Sequence, residues 1–98
     1  MNMREIQKMQ QKLLKMQEDL EASQFTGTAG GGAVTITMSG KFEITSVKID
    51  PEAFTPDDIA ELEVMVKAAA KDAFDRATDA QAKLVNNATG GMKIPGLF

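Results

Sequence analysis

Four basic side chains near the start of the sequence, Arg4, Lys8, Lys12 and Lys15, stand 4, 4 and 3 residues apart. At about 100° per residue they fall within about 80° of one another on a helix wheel, forming one basic stripe. Three readings of such a stripe stay open. It can be a solvated face. It can grip the phosphates of a nucleic-acid backbone, with release of counterions. It can flank an amphipathic helix that docks on a membrane or a partner protein. Membrane docking is disfavoured, because the apolar seam beside the stripe is narrow, Met-rich and free of Trp and Phe. Composition limits any nucleic-acid contact. The first 24 residues hold no aromatic side chain, so stacking on single-stranded bases is not offered. Arg4 and Arg76 are the only arginines, so bidentate reading of guanine is sparse. A Lys-dominated contact predicts backbone gripping with limited sequence preference.

Other chemistry is largely excluded. The 98 residues include no Cys, His, Trp or Tyr. A zinc finger, a thiol nucleophile, an imidazole base and a Ser-His-Asp triad are therefore ruled out, as is a disulfide scaffold. Asp57-Asp58 follow Thr55-Pro56 in the register of a helix start, so they read as capping residues rather than a metal or acid/base pair. No calcium-loop pattern is present. Gly27-Thr28-Ala29-Gly30-Gly31-Gly32 lacks the Lys and the following helix of a phosphate-binding loop, and reads as a bend. We expect no enzyme, no cofactor and no metal.

The elements that must position the stripe follow from periodicity. A helix is expected from about Asn2 to Ala22, rich in Gln, Lys, Leu, Met and Glu and without Gly or Pro. Ile6, Met9, Leu13, Met16 and Leu20, spaced 3, 4, 3 and 4, form a heptad seam suited to packing against one other helix. Residues 25–50 read as antiparallel strands. Val34, Ile36 and Met38 alternate with Thr35 and Thr37, and Ser39-Gly40 supplies a turn. The next strand begins with Phe42 and Ile44 on one face, but Val47 and Ile49 have the opposite parity. That change of phase predicts a bulge near Thr45-Ser46. Phe25 to Thr28 is a weaker third strand. A long helix over residues 56–88 carries the apolar face Ile59, Leu62, Val66, Ala69, Ala70, Ala73, Ala77, Ala80 and Leu84. The many alanines predict that something approaches its backbone closely. Residues 89–98 form a tail, opened by the helix stop Thr89-Gly90-Gly91.

The predicted fold class is therefore α+β, in the order α-β-β-β-α, a small antiparallel sheet packed on a long helix within a single domain, 1–98. A helix of about 33 residues spans roughly 50 Å and a short strand roughly 23 Å, so the helix is expected to overhang the sheet by about 25 Å. The seam of the first helix is expected to cover the overhanging Ala77, Ala80 and Leu84. Such a shape makes a poor monomer, and a homodimer with a sheet hub and projecting helical arms is predicted.

The run Gly30 to Thr37, then Ser39-Gly40, then Val47-Lys48-Ile49-Asp50-Pro51-Glu52 resembles the YbaB/EbfC family of bacterial nucleoid-associated proteins. Asp57-Asp58, Leu62-Glu63, Ala69 to Ala73 and Thr89 to Gly96 continue the resemblance, as does the Gln/Met-rich first helix. The ordered set covers essentially the whole chain. The resemblance implies a tweezer-like dimer that binds double-stranded DNA at the nucleoid, in the bacterial cytoplasm, with roles in gene regulation or in recombination and repair. It offers no catalytic residues and no compact DNA-contact motif. The sequence begins close to the first helix, so no basic or glycine-rich leader is expected. The alternative is an adaptor whose arms bind a repair or replication component through Ile6, Met9 and Leu13.

Charge supports a division between arms and hub. The net charge is −3, from 11 basic and 14 acidic residues, which taken alone argues against a nucleic-acid binder. The segments differ, however: residues 1–16 carry +3, residues 17–79 carry −8, and residues 80–98 carry +2 through Lys83 and Lys93. We therefore assign DNA contact to Arg4, Lys8, Lys12, Lys15, Lys83 and Lys93. No run of apolar residues is long enough for a membrane span.

Overall fold

The computed structural model of the chain describes residues 2–88. They form helix α1 (Met3–Ala22), strands β1 (Gln24–Ala29), β2 (Val34–Ser39) and β3 (Ile44–Ile49), and helix α2 (Ile59–Ala88). The sheet is antiparallel, in the order β1-β2-β3. The expected α+β architecture is observed. Thr89-Gly90-Gly91, expected to stop the helix, and Lys93 lie outside the described residues.

Local chemistry explains the helix starts. Asn2 caps α1, its side-chain oxygen accepting from the Glu5 backbone N–H at 2.9 Å. At the other helix, the Asp58 carboxylate accepts from the Thr55 N–H at 2.9 Å and from the Thr55 hydroxyl at 3.0 Å. Pro56 to Asp58 form a 3-10 turn that runs directly into α2.

The core lies between α2 and one face of β1 and β2. Val34, Ile36 and Met38 point at α2, across from the register partners Ala29, Gly27 and Phe25. Ala69, Ala73 and Ala77 are fully buried against them. The close approach that the alanines predict is made by β1. A Cβ added to Gly27 would meet the Ala69 carbonyl oxygen and the Ala73 nitrogen. β1 is thus a full partner in the sheet, seated directly on the helix backbone, and no weaker than its neighbours.

This seating corrects the expected overhang. The sheet meets α2 from Met65, beside Gly30, to Gln81, whose Nε2 lies 3.5 Å from the Gly40 carbonyl. Those 16 intervening rises cover about 24 Å of a helix about 45 Å long. Gly27 grips the middle of the helix, so the excess of about 20 Å is divided between its ends. Ala77 belongs to the core rather than to an overhang. Ile59 stands exposed at the start of α2, outside the core.

The hairpin also differs in detail from expectation. Phe42 belongs to the turn, and β3 begins at Ile44. The Phe42 N–H donates to the Ser39 carbonyl at 2.9 Å, and Phe42 takes φ 65°. A bulky residue in that region is unusual. Its ring packs on Phe74 of α2, with centroids 5.3 Å apart. Further along, the register passes from Met38↔Ile44 to Thr37↔Ser46, leaving Thr45 as an extra residue. This is the bulge that the phase change predicts. It brings Ile44, Val47 and Ile49 onto one face.

The molecule is long, with extents of 66 × 25 × 16 Å and a radius of gyration of 18.3 Å. α1 is the reason. It buries no residue fully, and it meets α2 at its C-terminal turns, where Gln17 and Leu20 face Leu84 and Val85. Gly40 fixes the joint: its N–H donates to the Ser23 carbonyl at 3.2 Å, and it lies directly under the Leu20 carbonyl. From there α1 leaves the hub. The expected cover of α2 by the whole seam is not formed.

Candidate nucleic-acid interface

α1 holds the stripe on a single straight element. Twenty residues without Gly or Pro give a helix of about 30 Å, and the Asn2 cap secures its outer end. Arg4, Lys8, Lys12 and Lys15 are all exposed along it. Among the described residues, Arg4, Lys8 and Lys12 form no ion pair. Lys15 has a loose one, its Nζ 3.9 Å from the Asp19 carboxylate with both side chains in water. Such a pair contributes a few tenths of a kcal/mol at most. The stripe therefore keeps its charge available.

Lys83 is brought to a different place. It is exposed near the end of α2, next in sequence to Leu84, which faces Gln17 and Leu20. It stands at the base of the arm, while Arg4 and Lys8 stand toward the tip. Lys93 lies outside the described residues. On the seam, Met16 and Leu20 are half-buried at the joint, whereas Ile6, Met9 and Leu13 are 39%, 49% and 40% exposed.

Two of the other basic groups of α2 are already engaged. Arg76 Nε donates to Asp72 at 3.3 Å, and the other Asp72 oxygen accepts from the Thr28 N–H at 3.1 Å. Asp72 thus ties the outer edge of β1 to α2, a role its surface position in the sequence did not reveal. Lys71 donates to Asp75 at 2.8 Å, and that hydrogen bond and the carboxylate charge hold its ammonium above the usual lysine range. The acidic excess of residues 17–79, net −8, gives the hub a surface that repels phosphate.

A second surface was not singled out from the sequence. α2 lies over β1 and β2 and leaves β3 bare. Ile44, Val47 and Ile49 share the core-side face with Met38, Ile36 and Val34, yet remain 54%, 50% and 42% exposed. Exposed Phe74 adjoins them through Phe42. The signal was the same phase change that predicts the bulge: a strand that alters parity to keep its apolar residues together needs a face to bury them. Among the described residues, no cluster of potential metal ligands occurs, and no helix is long and apolar enough to cross a membrane.

Comparison with known proteins agrees with this geometry. The fold is similar to that of HP0035 from Helicobacter pylori, with a TM-score of 0.74 and 19% identity over 92% of this chain and 99% of that one. A nucleoid-associated protein of Pelotomaculum thermopropionicum is 44% identical over 98% of this chain and 91% of its own length. Another, from Clostridium novyi, is 42% identical over 98% and 84%, and one from Rhizobium meliloti is 42% identical over 95% and 87%. The sequence pattern of the YbaB/EbfC DNA-binding family matches residues 1–92, and the chain belongs to that family.

Proposed function

We propose that the chain is a homodimeric, non-enzymatic protein that binds double-stranded DNA at the nucleoid. Its α1 arms grip phosphates through Arg4, Lys8, Lys12 and Lys15, assisted by Lys83 and Lys93. The observation that carries this reading is the exposed basic stripe on a helix that leaves an acidic hub. Arg4, Lys8 and Lys12 lie about 12 Å or more along α1 from the joint at Leu20, beyond the Debye length of about 8 Å, so attraction there is not cancelled by repulsion at the hub. Family membership and the names of the relatives support DNA and the nucleoid. Roles in gene regulation or in recombination and repair fit the same chemistry.

A salt titration tests the reading. Two arms with four cations each allow up to about eight phosphate contacts, so the slope of log K against log salt should be steep, up to about −7. Duplexes of different sequence should bind within a few-fold of one another. A flat salt response would reject the phosphate grip.

The dimer reading rests on the bare face of β3. Three exposed apolar side chains in a row on a sheet face next to an uncovered edge are unfavourable in water. Burial against a second copy removes them. Val47→Glu is expected to reduce the mass measured by light scattering from twice the 10.6 kDa chain mass to one chain, without loss of helix signal. A variant that stays dimeric would place the interface elsewhere.

The exposed seam favours a second reading, an adaptor that offers Ile6, Met9 and Leu13 to a repair or replication protein. DNA binding that survives removal of the stripe would turn the argument toward it.

A further inference from the structure

Met3, Ile6, Met9 and Leu13 stand exposed along the outer half of α1, beyond the joint with α2 at Leu20. Their spacing makes Ile6 and Leu13 the a positions of a heptad and Met9 a d position. Glu5, Lys12 and Asp19 form one flank of this seam, each standing one residue before an a position. Met3, Gln10 and Gln17 form the other flank and carry no charge. Charges at such flanking positions choose the partner and the orientation of a helix pair.

We propose that the outer half of α1 docks antiparallel on the same segment of a second copy, with Ile6 of each facing Met9 of the other. The inference rests on the seam and its charges, and on neither the DNA reading nor the β3 contact.

Charge selects this arrangement from its rivals. In an antiparallel pair the two charged flanks lie side by side. With Ile6 opposite Met9, Glu5 of each copy faces Lys12 of the other, which gives two opposite-charge contacts. Sliding the helices to full overlap, with Ile6 opposite Met16, sets Glu5 against Asp19 and Lys12 against its own counterpart. A longer slide that pairs Lys12 with Asp19 requires Met16 and Leu20, which are half-buried at the joint of their own chain. A parallel pair sets Glu5 and Lys12 against Gln10 and Gln17, with no charge preference.

The favoured register overlaps about 12 residues, or about 18 Å of helix, and places the two Leu20 joints about 37 Å apart. The hubs then lie at opposite ends, so their β3 faces do not meet across the same pair. Arm and β3 thus engage different copies, and both contacts together link molecules into larger assemblies. Two arms on one hub would also reinforce a contact that is short by itself. Arg4, Lys8 and Lys15 fall on the outer positions of the pair, so only Lys12 of the stripe is shared.

The chain has no cysteine, so introduced thiols report cleanly on proximity. Equal amounts of the Ile6→Cys and Met9→Cys chains, freed of nucleic acid, are mixed at high concentration and oxidised. The expected main product joins one chain of each kind. Glu5→Lys placed in both chains is expected to slow that bond about fivefold or more, because both contacts become like-charge. The same change lowers the net negative charge of each chain, so general repulsion would predict the opposite. Adding Lys12→Glu restores the opposite charges and is expected to restore the rate. Circular dichroism of the reduced proteins checks that α1 stays helical. A rate unchanged by Glu5→Lys would overturn the proposal in favour of a parallel pair or chance collision. A rate raised by it would overturn the proposal in favour of full overlap. A double variant no faster than Glu5→Lys alone would also reject it. Chains that carry Val47→Glu should still form the bond, so a failure of the β3 contact and a failure of the arm contact are told apart.

Discussion

Replacing Lys8, Lys12 and Lys15 together by Glu is expected to lower duplex affinity about a thousandfold or more at low salt. Each phosphate contact contributes about one unit to the salt slope, and across two arms the substitution removes six cations. It also puts six anions where the phosphates would lie, so the loss exceeds that of the corresponding alanine variant. The effect on folding should be small. All three side chains are exposed, and among the described residues the only ion pair they form is the 3.9 Å approach of Lys15 to Asp19. A mobility-shift titration against the unaltered protein reads the affinity, and circular dichroism reads the helix. Undiminished binding by the folded variant would sink the arm assignment.

Gly27→Ala is expected to cause a large loss of stability for a single added methyl group. Gly27 is buried, and its missing Cβ would coincide with backbone of α2 at Ala69 and Ala73. Neither of those groups can rotate away as a side chain can. β1 would have to lift from the helix and open the contact that unites Ile36, Ala69 and Ala73. A cost of about 3 kcal/mol is reasonable for overpacking of this kind. In a chain of this size it corresponds to a fall in Tm of about 15 °C or more. Gly31→Ala is the control. Gly31 has φ 68° and nothing within 4 Å of an added Cβ, so only backbone strain of about 1–2 kcal/mol applies. Equal losses in the two variants, measured by thermal denaturation, would refute the steric account.

Features with a local cause were legible from the sequence. Thr55-Pro56-Asp57-Asp58 marks a helix start because capping and the fixed φ of proline act within one turn. The bulge was legible because Phe42, Ile44, Val47 and Ile49 cannot share a face without an extra residue. The alanines of α2 announced a close neighbour. Which neighbour it was depended on a long-range contact, and one Gly among eight carried no distinguishing mark. The consequence was an overhang placed wholly at one end, when the Gly27 contact centres the helix on the sheet. The Phe42 turn was missed for a similar reason. Its left-handed backbone is accompanied by a ring contact with Phe74, 32 positions later in the sequence. The stripe and the seam were legible as faces of a helix, and the structure places the stripe in water. It also shows why only Met16 and Leu20 are sheltered: the joint at Gly40 directs the rest of α1 away from the hub.

The length of that arm has a hydrodynamic consequence. A compact chain with a radius of gyration of 18.3 Å would contain about 260 residues, well over twice the 98 present. Drag follows dimensions rather than mass. On a sizing column calibrated with compact proteins, a single copy of this chain will elute in the range of a dimer or trimer. A dimer that keeps its arms extended will elute earlier still. A shift in elution volume thus registers the arm as strongly as it registers association, and folding α1 back onto the hub would retard the protein with no change in mass.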